Sequence, residues 1–254
     1  PGASGYVAPS AHPEQVALRV DPKSERLSLI EPFTPIDLAT GYAELPVLLK
    51  ARGKCTTDHI SPAGPWLKYR GHLDRISDNM FNGADNMFAT KPGAGYNVYT
   101  NEMDQPLNLI ARDYKARGQG WVAVGDRNYG EGSSREHAAM SPRHLGCRAV
   151  IVRSFARIHE TNLKKQGILP LVFADPADYD RIQRDDRLTL LGLDRLAPGE
   201  PVTVRIRHVD GKAEEIRTLH GLTTEQIAWF KAGSALNLIR MQQRPKVPGA
   251  TAKP

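Results

Sequence analysis

Hydrophobic residues along this chain fall into short runs separated by glycine, proline and polar clusters. Residues 121–124 (WVAV), 148–153 (RAVIVR) and 169–173 (LPLVF) are three compact apolar runs, each of strand length. Between the first two, Ser133-Ser134-Arg135-Glu136 has the S-x-x-E spacing of a capping box. It predicts a helix that begins at Ser133, is limited by Pro142 and closes at Leu145-Gly146. Between the second and third runs, Ser154 is placed to cap a helix over 155–166, and Gly167 to end it. Strand, helix, strand, helix, strand with short connections predicts right-handed crossovers and a parallel sheet.

The flanking regions have different patterns. Residues 45–50 (LPVLLK) are a further strand candidate, and two short apolar pieces, 16–20 and 27–30, precede it. Residues 74–106 contain several glycines, prolines and asparagines and no firm period, which predicts a long surface excursion. Later, 188–191, 202–209 and 213–219 read as strands. In the second of these Val202, Val204 and Ile206 alternate with polar residues, and Asp210-Gly211 marks a hairpin turn before the third. Thr223-x-x-Gln226 is a second capping box, opening a helix to about residue 242 with Ile227, Phe230 and Leu238 on its apolar side. The expected fold is therefore α/β: a mainly parallel central sheet flanked by helices, plus an antiparallel strand layer.

Composition narrows the function. The chain has 254 residues, of which 40% are hydrophobic, and no stretch approaches the ~20 apolar residues of a membrane span. Only two cysteines, Cys55 and Cys147, are present. They cannot build a disulfide framework, nor the set of thiolates that holds an iron–sulfur cluster or a structural zinc ion, and a reducing compartment is expected. The net charge of +6 comes from scattered Lys and Arg without interleaved aromatics, so it reads as ordinary surface or as recognition of a small anion rather than of nucleic acid. Residues 1–15 read as an interdomain linker and 243–254 as a disordered tail, leaving 16–242 as the domain.

Two stretches concentrate chemistry. The first, GDRNYGEGSSREH over residues 125–137, places three glycines and a helix start directly after a buried strand, the position at which open α/β sheets bind ligands. Backbone N–H groups at such a loop and helix start attract anions, and Arg135 adds a forked donor for carboxylate or phosphate. It is neither a Walker A loop nor a G-x-G-x-x-G fingerprint, and without a G-x-S-x-G elbow a Ser133–His137 hydrolase is disfavoured. The plainer reading is a capped turn with a solvated arginine. The second stretch, residues 55–72, holds Asp58, His59 and Arg70 among prolines and glycines. A zinc site there lacks the usual ligand spacing. The plainer reading pairs Asp58 with Arg70 on the surface and buries Cys55 as a small hydrophobe.

Taken together, GKCTTDHISPAGPWLKYRGHLD, GDRNYGEGSSREHAAMSPRHLG and SFARIHETNLKKQGILPL resemble the C-terminal swivel domain of the aconitase family, of the mitochondrial type. The resemblance runs from about residue 16 to residue 243 and is weakest over 82–106. It implies a swivelling domain and a hydro-lyase reaction interconverting citrate and isocitrate through cis-aconitate. It implies Ser133 as the catalytic base, Asp58 in the active-site network, and Arg70, Ser134 and Arg135 as contacts to substrate carboxylates. It also implies a [4Fe–4S] cluster held by cysteines of the family's N-terminal domains, with no metal ligand in this chain, so that the chain alone is expected to be inactive. A mitochondrial matrix or bacterial cytoplasmic location follows from the same resemblance. The competing readings are the small swivel subunit of a heterodimeric isopropylmalate or homoaconitate dehydratase and, more remotely, an iron-responsive RNA-binding module.

Overall fold

The computed structural model describes residues 5, 8–12 and 15–243. The expected linker over 1–15 therefore lies partly outside the described residues, and the expected tail lies outside them beyond residue 243. The chain enters its first strand, β1, at Leu45–Lys50. It then makes two one-turn helices, α1 (Thr57–Ile60) and α2 (Leu73–Ile76), and a small hairpin of β2 (Ala94–Asn97) and β3 (Glu102–Pro106). Helix α3 (Leu107–Ala116) leads into an alternating section of β4 (Trp121–Gly125), α4 (His137–His144), β5 (Cys147–Val152), α5 (Arg157–Lys165) and β6 (Leu169–Phe173). The short α6 (Asp178–Arg181) precedes three antiparallel strands, β7 (Arg187–Leu191), β8 (Val202–Arg207) and β9 (Ala213–Leu219). Helices α7 (Thr224–Ala232) and α8 (Ala235–Gln243) follow.

Seven strands form one closed barrel in the order β1-β4-β5-β6-β9-β8-β7. Strands β1, β4, β5 and β6 pair in parallel, as the crossovers predict; the remaining pairings are antiparallel, and β7 closes back onto β1. The expected parallel sheet and antiparallel strands are thus both present, and they share one continuous surface. Period-2 alternation decides what each strand buries. Val122, Val124, Ala149, Ile151, Leu169 and Leu171 join Val204 and Ile206 in the barrel interior. Trp121, Ala123, Val150 and Val152 point outward into a second core, roofed by residues of α3, α4 and α5 such as Ile110, Ala139 and Leu163. Both faces of the parallel half are therefore buried, which is why those strands read as unbroken apolar runs.

Several sequence expectations need correcting. Ser133 does not open a helix: α4 begins at His137, with Glu136 in the cap position and no side-chain cap, and Pro142 sits inside the helix. Ser154 does not cap α5, which starts at Arg157; its hydroxyl accepts from the Asn128 N–H at 2.8 Å and ties two loops together. The terminal helix is two helices, broken at Gly233, whose φ of +90° ends α7 in the left-handed region. The Thr223–Gln226 capping box is present as expected.

Residues 74–106 are a surface excursion only in part, with 90–92 and 99–103 exposed. Met80, Phe81 and Ala84 are fully buried in the second core, and the asparagines supply what a ladder would. Asn86 accepts from Lys50 N–H and donates to the Ala94 carbonyl, while Asn79 donates to the Pro62 carbonyl. Side chains that satisfy buried backbone in this way leave no period to detect.

Candidate active site

The polar face of the domain lies beyond the carboxyl ends of the parallel strands, where all three sequence motifs converge. Leaving β4, the chain is stitched to its neighbours by backbone bonds. Gly130 N–H donates to the Cys55 carbonyl at 2.7 Å, Thr57 N–H to the Glu131 carbonyl at 2.9 Å, and Ala156 N–H to the Tyr129 carbonyl at 2.9 Å. Lys54 and Glu131 add an exposed ion pair at 2.8 Å. These contacts leave room only for glycine at two positions. A Cβ on Gly130 (φ +81°) would stand 2.2 Å from the His159 ring, and one on Gly132 (φ +125°) 2.7 Å from Thr57 Oγ1. The left-handed backbone at Gly132 turns the chain so that Ser133 and Ser134 project as an exposed loop ahead of α4.

Across from that loop, Thr56 and His59 form the capping box of α1: Thr56 Oγ1 accepts from the His59 N–H, and His59 Nδ1 accepts from the Thr56 N–H. His59 is therefore a structural cap. α1 presents Asp58 outward, with its side chain 60% exposed. Asp58 does not pair with Arg70; Oδ1 accepts from Nη1 of Arg135 at 2.5 Å, and the same Nη1 donates to the Ser61 carbonyl at 3.0 Å. Arg135 is thereby held through one nitrogen, with its Nε and Nη2 edge uncommitted among the described residues. Arg70 sits at the end of a 3-10 turn over Gly64–Tyr69. Its carbonyl lies 3.0 Å from His137 Nε2, which locks that turn to the start of α4. The Arg70 guanidinium and the Ser133 and Ser134 hydroxyls make no hydrogen bond among the described residues.

The structure thus brings Asp58, Arg70, Ser133, Ser134 and Arg135 onto one rim. Beneath the rim lies a residue that the sequence reading missed. His159, on α5, is 1% exposed and packs against the Tyr129 ring with centroids 5.5 Å apart. Burial lowers its pKa to about 4, so the imidazole is neutral, and neither ring nitrogen has a hydrogen-bond partner. The available signal was the glycine at 130, whose lost side chain makes space for that ring.

The two cysteines do not fit an iron–sulfur cluster. Cys55 and Cys147 are both buried and unpaired, and burial pushes each thiol up to about 12, far from the thiolate that a cluster needs. Among the described residues no group of three or more His, Cys, Asp or Glu side chains is arranged to hold a metal ion, and no helix is long and apolar enough to cross a membrane.

By its fold, the chain is a closed α/β barrel with serines and arginines on one rim. More particularly, the chain belongs to the aconitase C-terminal domain family, which it matches over residues 45–176. It is 54% identical over 246 residues to a probable mitochondrial aconitate hydratase of Dictyostelium discoideum, covering 96% of this chain and 32% of that protein. It is likewise 54% identical to the mitochondrial aconitate hydratase of Saccharomyces cerevisiae, over 96% of this chain and 31% of that protein. The chain thus spans about a third of the length of these relatives. Among solved structures, a 3-isopropylmalate dehydratase of Methanocaldococcus jannaschii overlaps it with a TM-score of 0.48 at 21% identity, covering 79% of this chain and 93% of that one. That likeness is too partial to bear on the site.

Proposed function

We propose that this chain is the C-terminal part of an aconitate hydratase, a hydro-lyase that interconverts citrate and isocitrate through cis-aconitate by removing and restoring water. The observation that carries the reading is the pairing of an exposed, uncommitted Ser133 with an arginine that Asp58 holds by a single nitrogen. Dehydration of a hydroxy acid requires a proton to leave the carbon beside a carboxylate, and Ser133 Oγ is the group this chain offers to take it. A serine alkoxide needs stabilisation, and the cation this chain offers near it is Arg135, whose Nε and Nη2 edge is uncommitted among the described residues. Arg70 and the open edge of Arg135 match planar carboxylates, and Ser134 adds a neutral donor beside them. Fixing several carboxylates also fixes which carbon faces Ser133.

This chain's residues do not fit the [4Fe–4S] cluster that the family implies, and its ligands are assigned to N-terminal domains of the same enzyme as partners. Alone, the chain is inactive in this reading. A mitochondrial matrix location accords with the names of the relatives. Replacing Ser133 by alanine in the enzyme carrying all its domains should lower kcat by about 10²–10⁴-fold, the usual contribution of a positioned base. Substrate affinity should change little, and steady-state kinetics beside a direct binding measurement separate the two. A near-normal kcat would sink the proposal.

A further inference from the structure

At the far end of α4 from the serine loop, residues 28–37 run as a strap past the N-terminal ends of β4 and β5 and leave a cleft of about 680 Å³. The strap is anchored. Asn237 Nδ2 donates to the Phe33 carbonyl at 2.6 Å and Arg143 Nη2 to the Thr34 carbonyl at 2.9 Å, while the Arg143 guanidinium lies 5.1 Å from the centre of the Phe33 ring. Arg143, Arg148 and Lys115 all line the cleft.

Arg143 is buried and Arg148 half-buried, neither with a carboxylate counter-ion among the described residues, while Lys115 is exposed. Arg143 is 6% exposed, and its hydrogen bonds go to the carbonyls of Gln166, Thr34 and Gly233 through Nε and Nη2, leaving Nη1 uncommitted. Arg148 makes no hydrogen bond among the described residues. Its Nε is fully buried without a partner and rests over Gly120, where a Cβ would come within 2.4 Å of it. Burial lowers the pKa of both guanidinium groups, that of Arg143 to about 10, and Arg148 lowers Arg143 further. The groups that counter this are Tyr42 and Cys147, and burial keeps both protonated. The cleft's carboxylates lie elsewhere in the charge pattern. Asp74 is tied to Arg112 and His144, Asp37 caps its own turn at Ala39 and Thr40, and Glu31 is exposed.

Proteins rarely bury a charge unpaired, because desolvation is not repaid. Two guanidinium groups facing one cleft with free N–H donors are repaid by an anion with matching oxygen geometry. We propose that the strap cleft is a binding site for a small oxyanion, a carboxylate or a phosphate group, held between Arg148 and the Nη1 edge of Arg143. The site is separate from the serine rim and stands whether or not the hydro-lyase reading holds.

The test is a titration of the ¹⁵N-labelled chain with inorganic phosphate and, separately, with malonate, following the Arg148 Nε–H resonance and the heat of binding. A saturable shift with either anion is expected, a response to phosphate alone assigning a phosphate ligand and to malonate alone a carboxylate. R148M should weaken binding at least about tenfold, since hydrogen bonds to charged groups are lost. It should leave the thermal midpoint of the unliganded protein equal to or above wild type, because it removes an uncompensated charge. R205A, on the exposed antiparallel face, should bind as wild type does. An unmoved Arg148 resonance with both anions overturns the proposal, as does R148M binding at wild-type strength. The wild-type titration decides the matter even if R148M fails to fold.

Discussion

The antiparallel side of the barrel and the serine rim use the same residue types in opposite ways. On β8 and β9, Arg205 faces Glu215 across the register and pairs with it at 2.9 Å, Arg207 pairs with Glu44, and Arg181 is held by both Asp178 and Glu214. On the rim, the Arg70 guanidinium and two serine hydroxyls stand without partners among the described residues, and Arg135 is engaged through one nitrogen only. The charges of Arg181, Arg205 and Arg207 are satisfied within the chain. The open groups on the rim are the ones the proposed function uses. The contrast teaches that function here is written in what folding leaves unpaired, and that substitutions on the rim should act on chemistry while those in the barrel act on stability.

The largest effect that separates the two is in the barrel interior. Leu171, at the centre of β6, is 0% exposed among residues contributed by all seven barrel strands. Leu171→Ala should cost about 2–5 kcal/mol of unfolding free energy, from lost burial and the cavity left behind. Denaturant unfolding reads this directly, and the same experiment on Ser133→Ala should show a change under about 0.5 kcal/mol, as for other surface positions. A rim variant as damaging to stability as the core variant would break the distinction.

His159 joins the regions, since it is buried like the core yet supports the rim through Gly130. Its folded pKa, about 4, lies below the ordinary 6.5, so between these values the unfolded chain binds a proton that the folded chain refuses. Stability from this group is therefore fully present above about pH 6.5 and is lost as pH falls toward 4, to the extent of roughly 3 kcal/mol. Unfolding curves at pH 7.5 and pH 4.5 should show that loss in wild type and a smaller one in His159→Phe. Equal pH dependence in the two proteins would contradict the assignment.

What was legible in the sequence follows the same division. Strands β4, β5 and β6 are apolar on both faces and show as runs; β8 shows as alternation because one of its faces is wet. The rim residues were legible through the GEGSSRE, CTTDHIS and KYRGHLD stretches, not through periodicity. Where local signals misled, a tertiary contact had taken over a local role. Ser154 bonds to Asn128 instead of capping α5, and Ser133 is pulled out of helical geometry by the bridge between Thr56 and Glu131. Helix α3 went unread although Leu107, Ile110, Ala111 and Tyr114 form its buried face, because it directly follows the irregular residues 74–106. Closure of the barrel was likewise invisible, since the β1–β7 pairing rests on two residues from each strand.

A smaller effect tests how the rim is poised. Asp58→Asn keeps a side-chain oxygen near Arg135 Nη1 but removes its charge, so the guanidinium should lose orientation while its open edge survives. In the enzyme with all its domains, kcat/KM should fall about tenfold, at the low end for a hydrogen bond to a charged group because Asp58 is mostly exposed. KM should carry more of the change than in Ser133→Ala, where kcat carries it. If Asp58→Asn instead lowers kcat alone, Asp58 acts on proton transfer and not on the clamp.

The smallest effect belongs to the satisfied surface. Arg205 and Glu215 are each 49% exposed, and their 2.9 Å contact spans a directly opposed pair on β8 and β9. Cross-strand pairs of opposite charge contribute a few tenths of a kcal/mol, and exposed ion pairs rarely more than ~1 kcal/mol. A double-mutant cycle through Arg205→Ala and Glu215→Ala should give a coupling in that range, shrinking as salt is raised to 1 M because the Debye length falls to about 3 Å. Neither variant should alter kcat or KM in the complete enzyme, because this pair is closed within the domain while Arg70 and Arg135 are not. A measurable kinetic effect would mean that the antiparallel face also meets the neighbouring domains, and the division between a self-contained side and an open rim would have to be redrawn.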